Sequence, residues 1–140
     1  MATAQLKKLH TALVDTTKGY QEAVKDADDA PSAALFRAML ALRERDHGQI
    51  HAELQRAGQT ADDDGSLMGT VHETVIGIRS AITGLGTNAL GSFVMGEEQI
   101  LGQYDAAIDE AGAGTTLAEL LSRQRATLRD RVAQMKQMAD

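Results

Sequence analysis

The chain has no cysteine, no tryptophan and only one proline among its 140 residues. The lack of cysteine excludes disulfide bonds, thiolate metal ligands and thiol nucleophiles. Aromatic residues make up only 3% of the sequence, so the core must consist of Leu, Ile, Val, Met and Ala. This composition favours packed helices over sheets, because strands are enriched in aromatic and β-branched residues.

Positive charge is also scarce. Lys and Arg number 14 against 20 Asp and Glu, which gives a net charge of −6, and the basic residues form no cluster along the chain. We therefore expect no nucleic-acid partner, because phosphate binding needs a concentrated positive surface. No apolar run is long enough to span a bilayer, and the N-terminus has no apolar segment typical of a signal peptide, so we expect a cytoplasmic protein.

Apolar residues recur every three or four positions along most of the chain, which is the period of an amphipathic helix. Pro31 suits the first turn of a helix, Ser66 is placed to cap another, and the glycines of 84–91 interrupt the pattern. The short connections predict that successive helices pack antiparallel. We expect residues 1–140 to form a single all-α domain, an antiparallel helical bundle of four to five helices. The predicted helices cover about 6–27, 32–57, 66–85, 89–111 and 117–138.

Some polar side chains fall on or beside the apolar stripes of these helices. A bundle interior of Leu and Ile does not require them, so each is a candidate for a functional role. They are His47, Glu97, Tyr20 and Tyr104 on the stripes, and Asp46, His51 and His72 at their borders.

Four of the polar residues form a candidate metal site. His47 and His51 are four residues apart, a spacing that places both imidazoles on one side of a helix and allows them to share a cation. Glu44 precedes His47 by three residues, which is the Glu-x-x-His spacing of di-iron helical bundles. With Glu97 these residues would suit iron or zinc. We favour the alternative that His47 and Glu97 form a hydrogen-bonded polar pair and that no cofactor is bound.

The sequence does not supply enough ligands for a complete two-metal centre. The first predicted helix has no carboxylate on its stripe, because Asp15 and Glu22 fall about 200° away from it. The last predicted helix has Gln124 on its stripe and no histidine. In HGQIH, Gly48 stands where a zinc protease has its general-base Glu, so we expect no protease activity.

Three segments occur in an order that resembles a bacterial family of ferritin-like four-helix bundles catalogued as a domain of unknown function. They are KGYQEA at 18–23, AELQRAG at 52–58 and MGEEQILGQYDAA at 95–107. The resemblance covers about 6–108, with the last predicted helix as its usual continuation. It implies a ferritin-like fold, a cytoplasmic bacterial protein and no established catalytic activity.

The chain departs from the iron-binding relatives of that family at two places. Those relatives have a Glu three residues before the His of a His-Ala-Glu segment on the second helix, whereas Gly48 stands three residues before His51. On the last helix, the stretch 125–131 has Arg where an iron-binding relative would have His. The resemblance therefore does not imply iron oxidation.

We predict a non-enzymatic, ferritin-like bundle that self-associates into a homo-oligomer, in a stress-related role, with no catalytic residue and an unknown protein partner. The alternative is a metal-binding or redox protein that holds iron or zinc with His47, His51, Glu97 and Glu44. A third alternative is an amphipathic module that binds a partner helix or lipid through adaptable side chains such as Met135 and Met138.

Overall fold

The computed structural model describes residues 3–27, 29–59 and 90–139. Within these ranges the chain forms four α-helices and no strand, which confirms the predicted all-α class. The third predicted helix, about 66–85, lies outside the described residues, as do Ser66, His72 and most of the stretch 84–91. The helices are α1 (Ala4–Asp26), α2 (Ala30–Arg56), α3 (Leu90–Ala111) and α4 (Thr116–Ala139).

Local signals determine where α2 begins and ends. The carboxylate of Asp29 caps its first turn by accepting a hydrogen bond from the backbone N–H of Ser32 at 2.8 Å. Pro31 lies in that first turn, as predicted, where its missing N–H removes no helical hydrogen bond. After the helix, Gly58 has a φ of +76°, a left-handed conformation that favours glycine.

Two glycines turn the chain between α3 and α4. Gly112 and Gly114 have φ values of +90° and +81°, which other residues adopt only with strain. The hydroxyl of Thr115 then accepts a hydrogen bond from the backbone N–H of Ala118 at 3.1 Å and caps α4. This connection is short, so α3 and α4 are neighbours in the bundle.

The helices pack around one apolar core. α1 packs against α2 and α3, α3 packs against α4, and α2 touches α4 over a smaller area. Three of the four aromatic residues cluster there, with the rings of Phe93 and Tyr20 5.0 Å apart and those of Phe93 and Phe36 4.9 Å apart. Burying each such ring contributes about 1.5–3 kcal/mol. The fully buried aliphatic residues include Leu9, Leu13, Met39, Ile50, Leu54, Leu90, Leu121 and Met135.

None of the four described helices combines the length and the apolar character that crossing a membrane requires.

Candidate functional site

A charged pair lies in the core of the bundle. Arg43 of α2 and Glu97 of α3 are each only 2% exposed, and the guanidinium Nη2 of Arg43 contacts Oε1 of Glu97. Tyr20 of α1 donates its hydroxyl hydrogen to Oε2 of the same carboxylate at 2.5 Å. The ion pair and the hydrogen bond therefore join three helices through one carboxylate.

Helical periodicity explains why these side chains lie inside. Arg43 is four residues after the fully buried Met39, so both face the same side of α2. Burial lowers the pKa of the Arg43 guanidinium, whose delocalised charge arginine nevertheless retains in proteins. Burial raises the pKa of the Tyr20 hydroxyl, which therefore remains a proton donor. Each oxygen of Glu97 thus meets either a cation or a hydrogen-bond donor.

A second polar layer connects α2, α3 and α4. Tyr104 of α3 donates a hydrogen bond to Oε1 of Gln124 of α4 at 2.9 Å. The Nε2 group of Gln124 donates to Oε1 of Gln49 at 2.8 Å and approaches the backbone carbonyl oxygen of Asp46 at 3.4 Å. Burial also raises the pKa of Tyr104. The buried groups of Tyr104 and Gln124 thus have hydrogen-bond partners, as buried polar groups must, and the exposed Gln49 supplies one of them.

Asp46 is a buried carboxylate at the edge of this layer. Burial raises its pKa, and the neighbouring charges of Arg45, Arg43 and His47 act in the opposite direction. Arg45 contacts the carboxylate directly, since its Nε donates to Oδ1 of Asp46 at 3.1 Å. With Asp46, the two polar layers place charged or hydrogen-bonding groups from all four described helices in one interior region.

The two histidines of the candidate metal site lie beside a third. His47 and His51 of α2 are both half-buried, and His10 of α1 is only 1% exposed. The ring centroid of His10 lies 6.0 Å from that of His47 and 5.7 Å from that of His51. These three residues, called the histidine cluster below, therefore lie together where α1 packs against α2.

The two glutamates of the candidate metal site lie apart from each other. Glu44 is exposed and shares with His47 a groove of about 360 Å³ between α1 and α2. Glu97 instead has Arg43 and Tyr20 as its partners. The expected hydrogen bond between His47 and Glu97 is replaced by this arrangement, because arginine combines a long side chain with a permanent charge that suits a buried carboxylate. Within residues 3–27, 29–59 and 90–139, no three His, Cys, Asp or Glu side chains are arranged to hold a metal ion.

Three buried ionisable residues, Arg43, His10 and Asp15, are not among the candidates predicted from the sequence. Arg43 falls on the apolar stripe of α2, and this position alone predicts that its side chain is buried. His10 is also buried, although nothing in its spacing marked it as a ligand. Asp15 was expected to lie away from the packed stripe of α1, which is wrong, because it is only 5% exposed. The reason is that α1 packs against both α2 and α3, so its buried face is wider than one stripe.

Comparison with known proteins finds one family. No curated protein and no solved structure matches the chain. The model of a domain of unknown function, DUF2383, matches residues 1–110. The match contains α1, α2 and nearly all of α3, whereas α4 lies beyond it. Because the match covers well over half of the sequence, the chain belongs to the DUF2383 family of domains of unknown function.

Proposed function

We propose that this protein is a non-enzymatic helical bundle of the ferritin-like type, in which an arginine neutralises the core carboxylate that a metal ion neutralises in iron-binding bundles. The ion pair between Arg43 and Glu97 carries the proposal, because it occupies the carboxylate that the candidate metal site needs. A metal ion bound to Glu97 would lie beside the guanidinium. Two like unit charges 4 Å apart repel by about 4 kcal/mol at an effective dielectric constant of about 20, which describes buried as well as surface sites, and a divalent ion would double that cost.

The other buried polar groups also support a structural role. Tyr20 donates a hydrogen bond to Glu97, and Tyr104 donates one to Gln124. Burial raises the pKa of both hydroxyls. Neither phenol would therefore ionise near neutral pH to act as a base or a nucleophile. We accordingly assign the two polar layers to holding the helices in register.

A bundle without catalysis must act through its surface, and we propose self-association into a homo-oligomer in a stress-related role. Light scattering coupled to size-exclusion chromatography tests the first part, with and without a chelator. We expect an oligomer whose mass is unchanged by the chelator. A monomer at all concentrations would refute self-association, and dissociation by the chelator would show that metal holds the assembly together. Loss of survival under stress in a deletion strain, restored by the wild-type chain, tests the second part.

The spacing of His47 and His51 favours a second candidate function, the binding of iron or zinc, because imidazoles four residues apart on α2 can share one cation. Further ligands would have to be water or residues outside 3–27, 29–59 and 90–139, since no three His, Asp or Glu side chains within those ranges are arranged to hold a metal ion. Elemental analysis of untagged protein and a zinc titration test this function in His47→Ala and His51→Ala variants. The matched control is His72→Ala, which removes a histidine outside the described residues. Metal at one equivalent, lost in the first two variants only, would support this function. Sub-stoichiometric metal that both variants leave unchanged would exclude it.

A further inference from the structure

A cleft of about 270 Å³ lies between α1 and α3, outside the histidine cluster. Its volume lies just below the range of about 300–1,000 Å³ that is typical of small-molecule pockets. Phe93 and Ile100 form apolar parts of its wall, and Gln99 and Gln103 add amide groups. Asp15 of α1 and Glu97 of α3 are its two acidic residues.

Asp15 is the acid in this cleft whose charge is poorly compensated. Its side chain is buried, and its Oδ1 atom has no hydrogen-bond partner in the described part of the chain. Burial raises the pKa of Asp15 to about 6, while the charge of Lys18 on the same helix acts in the opposite direction. Glu97, in contrast, already contacts Arg43 and Tyr20. At neutral pH the cleft therefore holds a mostly ionised carboxylate, one oxygen of which has no hydrogen-bond partner among the described residues.

We propose that this cleft binds a small organic molecule that carries an ammonium group on a short apolar stem. Asp15 accepts hydrogen bonds from the ammonium group and supplies its counter-charge, and Phe93 and Ile100 contact the stem. A metal ion is a poorer fit, because no three His, Cys, Asp or Glu side chains of the described residues are arranged to hold one. This inference does not depend on the proposed structural role, since Asp15 takes no part in the contacts that join Arg43, Glu97 and Tyr20.

Isothermal titration calorimetry with n-butylammonium chloride at pH 7.5 tests the proposal on the full chain. Butan-1-ol, which has the same stem and a neutral head, is the matched ligand. We expect saturable binding of one butylammonium per chain, and binding of butanol at least about tenfold weaker, because a hydrogen bond to a charged group contributes that much or more. At pH 6 butylammonium binding should release protons, since a bound cation favours the ionised form of Asp15.

Two pairs of variants locate the site. Asp15→Asn should weaken butylammonium binding about tenfold or more, whereas Asp109→Asn, the same change at an exposed position of α3, should leave it unchanged. Gly96→Leu should abolish binding, because Gly96 lines the cleft and a Cβ atom added there meets no atom within 4 Å, which leaves the leucine side chain space to fill part of the cleft. Gly102→Leu, at another unobstructed glycine of α3 that is exposed, is its control. Circular dichroism verifies that every variant is folded.

Three results would overturn the proposal. They are an absence of saturable binding to the wild-type chain, equal binding of butylammonium and butanol, and undiminished binding in Asp15→Asn. Each of these outcomes would leave the measured mass of the oligomer and the metal content unaffected, so failure of the cleft proposal is distinguishable from failure of the proposed function.

Discussion

Removing one partner of the core ion pair should destabilise the bundle strongly. In Arg43→Met the buried carboxylate of Glu97 loses its cation, and breaking a buried pair from one side typically costs about 3–5 kcal/mol. At roughly 0.05–0.15 kcal/mol per residue, that is a large fraction of the stability of a chain of this length. We expect the melting temperature to fall by roughly 10–20 °C. Glu97→Gln should cost a similar amount, because it leaves the guanidinium buried without a carboxylate.

The double variant Arg43→Met/Glu97→Gln separates pairing from burial. It removes both charges, so it should lose about 2 kcal/mol less than the sum of the two single losses. Urea unfolding followed by circular dichroism at 25 °C measures all four proteins of this cycle. Arg56→Met, at a side chain that is 72% exposed, is the control and should change stability by less than about 1 kcal/mol. Single losses that are each under about 1 kcal/mol, or that add without coupling, would refute the reasoning.

The same unfolding assay tests three further predictions. Asp15→Asn should raise the free energy of unfolding at pH 7.5 by about 1–3 kcal/mol. The pKa of Asp15 is about 6 in the folded chain and lower in the unfolded chain, so the stability of the wild type falls as the pH rises through 4–6. The stabilities of the two proteins should converge below pH 4, and parallel pH profiles would contradict this prediction. Gly102→Ala should stabilise α3 by up to about 1 kcal/mol, whereas Gly58→Ala should destabilise the chain because Gly58 has a positive φ. Stability changes of the same sign in the two variants would refute the helical conformation of Gly102 or the left-handed conformation of Gly58. Tyr104→Phe should cost about 1–3 kcal/mol by leaving a buried oxygen of Gln124 unpaired, and a neutral result would count against the second polar layer.

The helices were predictable from the sequence because their signals are local. The predicted starts at Leu6, Ser32 and Leu117 lie within two residues of the observed ones. Apolar period, the proline in the first turn of α2 and the glycines after α2 and α3 all act over a few residues, so they are visible without knowledge of the fold. Tyr20, Tyr104 and Glu97 were placed on apolar stripes by the same periodicity, and their burial is confirmed.

The partners of these residues were not predictable in the same way. Which side chains meet depends on the rotation of each helix about its axis and on which helices are neighbours, and neither follows from the period of one helix. Stripe positions alone predict that Glu97 pairs with His47. The observed partner is Arg43, which lies one turn before His47 on the same stripe and has a longer, permanently charged side chain. The burial of Asp15 was not predictable from the apolar stripe either, because a helix with two neighbours also buries residues outside its most apolar stripe.

The choice between an arginine and a metal ion in the core has a thermodynamic consequence. A metal that binds only the folded state stabilises it by about 4 kcal/mol at a concentration one thousand times its Kd. Because Arg43 neutralises Glu97 from within the chain, we expect a chelator to leave the melting temperature unchanged and iron to raise it by less than the roughly 10 °C that such binding implies. If zinc or iron does raise it, His47→Ala should abolish the increase when the histidine cluster is the site. Loss of the increase in Glu97→Gln, with no effect of His47→Ala, would instead place the metal in the core and refute the role assigned to Arg43.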